Sequence, residues 1–188
     1  MSASWKHARF KLAAMIFDRC HNPAEIADLH SRSWQHFYRH IFSNSYLDSS
    51  LADDHRKQWI ERLSTFDQRK HFLRTVHESD ALIAFAYAVL GDEGGADILI
   101  ENLHVDPSFH GRGIGRKLMA ACAEWALSKS RGISVEVFAA NPAVRFYERC
   151  GGERVRSFTE ALPGGGNALT LEFRWSDPQV LIKNAPTV

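Results

Sequence analysis

The segment Val105-Asp-Pro-Ser-Phe-His-Gly-Arg-Gly-Ile-Gly-Arg-Lys-Leu118 constrains this chain more than any other. An apolar run ends at Val105, Asp106-Pro107 forms a turn, and Gly111, Gly113 and Gly115 lead into an amphipathic pattern of Ile114, Leu118, Cys122 and Trp125. Glycines there leave backbone N–H groups free to face an anion at a helix N-terminus, where the dipole favours negative charge. The pattern predicts a strand, a phosphate-holding loop and a helix. Spacing narrows the choice of phosphate. A dinucleotide fingerprint needs G-x-G-x-x-G with an acidic residue about 20 positions on, and a Walker loop needs Gly-Lys-Ser/Thr. Gly111-x-Gly113-x-Gly115 fits neither.

The rest of the chain sets bounds on what this loop serves. At 188 residues the expectation is a single domain, 1–188, large enough to bury a core. A net charge of +1 provides no global field for nucleic acid or a membrane surface, so any attraction for anions is local. Cys20, Cys122 and Cys150 are scattered and odd in number, which suits a reducing cytoplasm better than a disulfide framework. No apolar run reaches the roughly 20 residues of a membrane span, and the first residues lack a signal-peptide pattern. His36 and His40 are spaced i, i+4 on a predicted helix, but no partner motif accompanies them, so no metal is expected.

Periodicity lays out the elements. Residues 8–16 read as a first strand. Asn22-Pro23-Ala24-Glu25 starts a helix with an Asn cap and Pro at its first position, and Ile26, Leu29, Phe37 and Ile41 share one face. A second helix follows Ser50, with Leu51, Trp59, Ile60 and Leu63 as its apolar side. Strands are predicted over 71–77, 81–90, 98–105, 133–138, 153–158 and 169–175, with a loop over 91–95. The helix after the glycine loop and a short one between Asn141 and Gly151 complete an order β-α-α-β-β-β-α-β-α-β-β. This is an α/β fold with a mixed sheet, not a regular doubly wound one.

Asn141-Pro-Ala-Val-Arg-Phe-Tyr-Glu-Arg-Cys-Gly151 taken alone is good helix chemistry, with Asn capping, Pro starting and Gly ending. Taken with the glycine loop, it resembles the GNAT superfamily of N-acetyltransferases. The acetyl-CoA loop of that family reads Gln/Arg-x-x-Gly-x-Gly/Ala after a strand ending in Val-x-Pro. The counterpart here is His110-Gly-Arg-Gly113-Ile-Gly115 after Val105-Asp-Pro107. His110 stands where Gln or Arg is commoner, Gly152 where Phe is frequent, and Asn141 lies one residue closer to Tyr147 than is usual. The resemblance implies a mostly antiparallel central sheet flanked by helices, and the last strands often mediate dimers in that family, so a homodimer is a further expectation.

The resemblance also implies a chemistry. Acetyl-CoA would be the co-substrate, and a primary amine, whether a small molecule, a peptide N-terminus or a lysine, would attack it directly in a ternary complex. Backbone groups of Leu103, His104 and Val105 would align the pantetheine arm, with the Val105 amide at the thioester carbonyl. His110, Gly111, Arg112, Gly113, Ile114 and Gly115 would take the pyrophosphate, with added charge from Arg116. Asn141 and Phe146 would contact the arm, and Tyr147 would protonate the leaving thiolate. The amine must shed a proton, since an alkylammonium has a pKa of about 10. Glu101 is the expected base: it lies four residues before Val105, and regular alternation puts both side chains on one face unless a bulge intervenes. His104, alternating away from Glu101, is the second candidate. An acyl-CoA sensor of the same fold and an O-acyltransferase are the alternative readings.

Overall fold

The computed structural model describes residues 15–18, 22–91 and 97–186. Residues 8–14 of the predicted first strand and residues 92–95 of the predicted loop lie outside these. Strand β1 is Met15–Asp18, followed by helices α1, Pro23–Phe37, and α2, Leu51–Ser64. Strands β2 (His71–Glu78), β3 (Ala81–Leu90) and β4 (Ile98–Val105) come next, then α3 (Ile114–Ser128). Strand β5 (Ile133–Phe138), α4 (Val144–Arg149), β6 (Glu153–Ala161), β7 (Asn167–Trp175) and α5 (Gln179–Lys183) follow. The sheet has seven strands in the order β1-β2-β3-β4-β5-β7-β6. Every neighbouring pair is antiparallel except β4–β5.

Local chemistry explains the helix ends. Asn22 Oδ1 accepts from the Ala24 amide at 3.1 Å, and Asn22 Nδ2 donates to Glu25 Oε1 at 2.6 Å. The cap therefore satisfies one of the amides a helix start leaves over. Helix α1 stops at Phe37, earlier than the apolar spacing predicts. Ile41 and His40 fall in the turns beyond it, so His36 and His40 share no helical face. A five-residue π-helical segment, Tyr46–Ser50, leads into α2 and has no signal in the sequence. Ile60, predicted on the buried side of α2, is 54% exposed, because Trp59 rather than Ile60 faces the sheet. The short C-terminal α5 also went unpredicted; it packs on α3.

The sheet is covered on both faces. On one, Leu118, Met119 and Cys122 of α3 pack on Val76, Ala86, Ile98 and Ile100. On the other, Ile26 and Leu29 of α1 and Trp59 of α2 pack on Leu73, Phe85 and Tyr87. Among the described residues, no helix is long and apolar enough to cross a membrane.

Two irregularities in β4 position the site. First, Tyr87 pairs with Asn102 and Ala88 with Ile100, which leaves Glu101 as an extra residue, a β-bulge. Ile98 and Ile100 before the bulge, and Leu103 and Val105 after it, all pack on the α3 side. Glu101 and Asn102 instead both bond to Arg62 of α2, and His104 to Ser33 of α1. The expectation from regular alternation is thus overturned: Glu101 shares a face with His104, not with Val105. Second, β4 and β5 pair only through Ile98↔Ile133, Leu99↔Ser134 and Ile100↔Val135. Beyond Ile100 the two parallel strands separate.

Candidate active site

The separation of β4 from β5 opens a cleft of about 830 Å³. Its walls include every residue to which the family resemblance assigns a role: Glu101, Leu103, His104, Val105, the loop from His110 through Arg116, Asn141, Phe146 and Tyr147. Residues some 46 positions apart thus meet around one space because the parallel pair breaks off where the bulge begins.

At the cleft mouth the glycines do what their spacing predicts. Gly111 and Gly113 have φ of +75° and +79°, a left-handed backbone that costs an L-residue on the order of 1–2 kcal/mol. Gly113 is the N-cap of α3 and brings no side chain to it, so the first amides of the helix are not capped from there. A β-carbon on Gly113 would stand 2.8 Å from Pro186 Cγ, and one on Gly115 would stand 3.3 Å from the Phe146 ring. A turn of this kind, with no side chain at the helix N-cap, leaves the backbone amides at the start of α3 available to an anion such as a diphosphate. Arg112 lies with its guanidinium 4.6 Å over the Phe109 ring and 3.7 Å from the Glu78 carboxylate. Arg116 is exposed on the first turn of α3.

The His110 side chain is engaged within the protein. Its Nε2 donates to the Val105 carbonyl at 2.9 Å, and its ring stacks on Phe37 at 5.2 Å, so it is turned back to the end of β4. The orientation of Val105 follows from its neighbour. The Asp106 amide donates to Ile83 on β3, so alternation turns the Val105 N–H and C=O the other way, toward the split.

Asn141 and Tyr147 occupy the far wall. Asn141 Oδ1 accepts from the Ala143 amide at 2.8 Å, which makes it the cap of the turn into α4. Its side chain also bonds Tyr38, whose phenol burial pushes up to about 12 against that bond. Tyr147 is buried against Phe173 and Trp175, each 6.1 Å away. Burial drives its phenol well above the ordinary value, and the neighbouring Tyr38, Cys150 and Cys122 add to the shift. It is therefore a neutral O–H donor across the physiological range.

The opposite wall carries residues the sequence did not single out. Ser33, Phe37 and Tyr38 line the cleft from the end of α1, and Glu136 from β5. His40 Nε2 donates to the Ala140 carbonyl at 2.9 Å, so the chain after α1 reaches across to the β5–α4 turn. Behind this wall three histidines cluster. His30 stacks on His55 at 3.6 Å and lies 4.5 Å from His104, while Ser33 Oγ is 2.9 Å from His104 Nδ1. Burial holds His104 down to about 3, and burial lowers His55 to about 4. His30 is held well below its ordinary value by burial and then by His104, His55 and Arg62. A positive His104 would be opposed by burial and by His55. No periodicity argument could have found this cluster, because it joins α1, α2 and β4 only in the folded chain.

A mixed sheet split at a parallel pair, with a glycine cradle at one end of the split, defines an acyl-CoA type of acetyltransferase fold. The sequence profile of the Acetyltransferase (GNAT) family matches residues 25–152, and the chain belongs to that family. No curated protein matches it in sequence. Solved structures share the fold at low identity. The PaiA N-acetyltransferase of Thermoplasma acidophilum, solved with coenzyme A, is 14% identical, with a TM-score of 0.62 over 86% of this chain and 99% of that one. Arabidopsis thaliana NAA60, solved with a bisubstrate analogue, is 17% identical, with a TM-score of 0.62 over 86% and 97% of the two chains. The ribosomal-protein-S18-alanine N-acetyltransferase of Escherichia coli is 15% identical, with a TM-score of 0.60 over 87% and 94%.

Proposed function

We propose that residues 1–188 act as one catalytic domain that transfers an acetyl group from acetyl-CoA to a primary amine in a cytoplasmic ternary complex. The observation that carries this reading is the split after Ile100 and Val135, with the left-handed glycine cradle at its mouth and a buried, protonated Tyr147 on its wall. The cradle amides and the α3 dipole take the diphosphate, and the split admits the pantetheine arm. The Val105 N–H, turned toward the split, donates to the thioester oxygen as negative charge develops there.

Glu101 takes the proton of the attacking amine. The C–N bond forms, the C–S bond breaks, and the departing thiolate takes a proton from the Tyr147 hydroxyl. Burial keeps Tyr147 protonated, so its hydroxyl enters this step as a neutral donor. Holding the two substrates together supplies on the order of 7–11 kcal/mol by effective molarity.

The test is CoA release from acetyl-CoA against a panel of amines, peptides, aminoglycosides and matched alcohols, with product mass read in parallel. Amide formation with an amine supports the reading. Intact CoA binding with no release from any acceptor, or release with alcohols alone, rejects it.

A further inference from the structure

We infer that Arg62, which does not line the cleft, is the positioning residue that holds the Glu101 carboxylate in it; this rests on the reading of Glu101 as the base. The bulge makes such a residue necessary. As the extra residue of β4, Glu101 has no cross-strand partner on β3, and side chains of regular strands owe much of their order to such partners. Its order comes from α2 instead. Arg62 Nη2 contacts Glu101 Oε2, and Arg62 Nη1 donates to Asn102 Oδ1 at 2.6 Å. One planar guanidinium therefore grips both consecutive residues of the bulge, which the single ammonium of a lysine cannot do with the same geometry.

Arg62 is itself immobilised. Its guanidinium lies 5.1 Å from the Trp59 ring centroid and 5.0 Å from that of Tyr87. Trp59, three residues earlier on the same helix face, is fully buried, and its indole N–H donates to His30 Nδ1 at 3.2 Å. The side chains of Arg62 and Glu101 are only 20% and 28% exposed, so the pair is sheltered from much of the solvent that makes surface ion pairs weak. A chain of contacts thus runs from His30 through Trp59 and Arg62 to Glu101, and only its last member lines the cleft. Freed from Arg62, the Glu101 carboxylate samples other rotamers, and misplacement by about 1 Å costs catalysis on the order of 100-fold.

A double-mutant cycle tests this with acetyl-CoA and the best amine of the panel above. R62A lowers kcat about 10- to 100-fold, leaves KM for acetyl-CoA within about twofold, and recovers activity in millimolar guanidinium. E101Q lowers kcat at least as far, and R62A/E101Q is no slower than E101Q and gains nothing from guanidinium. Multiplying losses in the double variant, or an R62A enzyme as fast as the parent, overturns the inference. Should E101Q turn over at the parental rate, Glu101 is not the base; if R62A is then still slow, Arg62 acts elsewhere and the inference fails with that reading. R62K keeps the charge and loses the fork. It gives an intermediate kcat, and the R62K/E101Q pair decides in the same way if R62A does not fold.

Discussion

Ser33 Oγ on α1 lies 2.9 Å from Nδ1 of His104 on β4, and this hydrogen bond fastens the helical wall of the cleft to the strand that carries Glu101. Behind it, His104, His30 and His55 form one buried group in which no imidazole can take up a proton without a cost. Trp59 donates to His30 Nδ1 at 3.2 Å and so ties that ring to α2. The wall therefore depends on the neutral state of three residues.

That dependence sets a pH profile of stability. In the unfolded chain these imidazoles titrate near about 6.5, whereas in the fold burial brings His55 to about 4 and His104 to about 3. Above 6.5 both states hold the rings neutral and the stability is fully present. As pH falls below that value the unfolded chain takes up protons the folded chain refuses, so stability declines. The unfolding free energy from urea titrations is expected to be level from pH 8 to 7 and to fall steadily toward pH 4, at up to about 1.4 kcal/mol per pH unit for each residue. His55→Gln flattens part of that slope. Equal unfolding free energies at pH 7.5 and 5 for the parent contradict the account.

The two left-handed glycines separate strain from contact. At Gly111 an alanine meets nothing within 4 Å, so only its φ of +75° penalises the change. At Gly113 the same strain is joined by a 2.8 Å approach to Pro186. Gly111→Ala is expected to weaken CoA binding a few-fold and Gly113→Ala by tenfold or more, since about 1–2 kcal/mol of strain is common to both and displacement of the loop is added at the second. Titration calorimetry with CoA ranks them; the reverse order rules out Pro186 as a constraint on the loop.

Tyr147→Phe removes the proposed acid without opening a cavity. The expected result is a fall in kcat of about 10²–10⁴-fold with KM for acetyl-CoA little changed. Because burial raises the phenol above its ordinary value, the acid stays protonated past pH 10, and the parental kcat shows no basic limb from this residue below that pH. An unchanged kcat in the Phe variant removes Tyr147 from the mechanism.

Asn141 has two duties that two substitutions pull apart. Its Oδ1 caps the turn into α4, and Ser keeps a cap that Ala loses, a difference of about 1 kcal/mol in stability. Contact with the pantetheine arm would need the longer carboxamide. Asn141→Ser is therefore expected to unfold near the parental temperature yet bind CoA several-fold more weakly, and Asn141→Ala to lose on both measures. Parental CoA affinity in the Ser variant reduces Asn141 to a cap.

Much of this was legible in the chain. The cap at Asn22, the strands from β2 onward and the helix after the glycine loop follow local rules of spacing and capping, so residues within a few positions determine them. The glycine turn was legible for the same reason: Gly111 and Gly113 act through their own backbone angles. Where α1 stops and why Ile60 faces out were not, because packing against the sheet overrides an apolar spacing that reads equally well either way.

Glu101 and its surroundings lie at the other extreme. A strand has a side-chain period of two, so one extra residue reverses every face assignment beyond it. Nothing in Ile98–Val105 announces that the extra residue is Glu101; the register against β3 decides it. The same register brings Glu101 to Arg62 and His104 to Ser33, partners 39 and 71 positions away. The sequence by itself thus determined that a left-handed glycine turn opens α3, since the glycines and the helix they precede are adjacent in the chain. Which residues share a face of β4 was decided only by the tertiary structure, because a bulge is a property of two paired strands and a buried cluster of charge and imidazole exists only once α1, α2 and β4 have met.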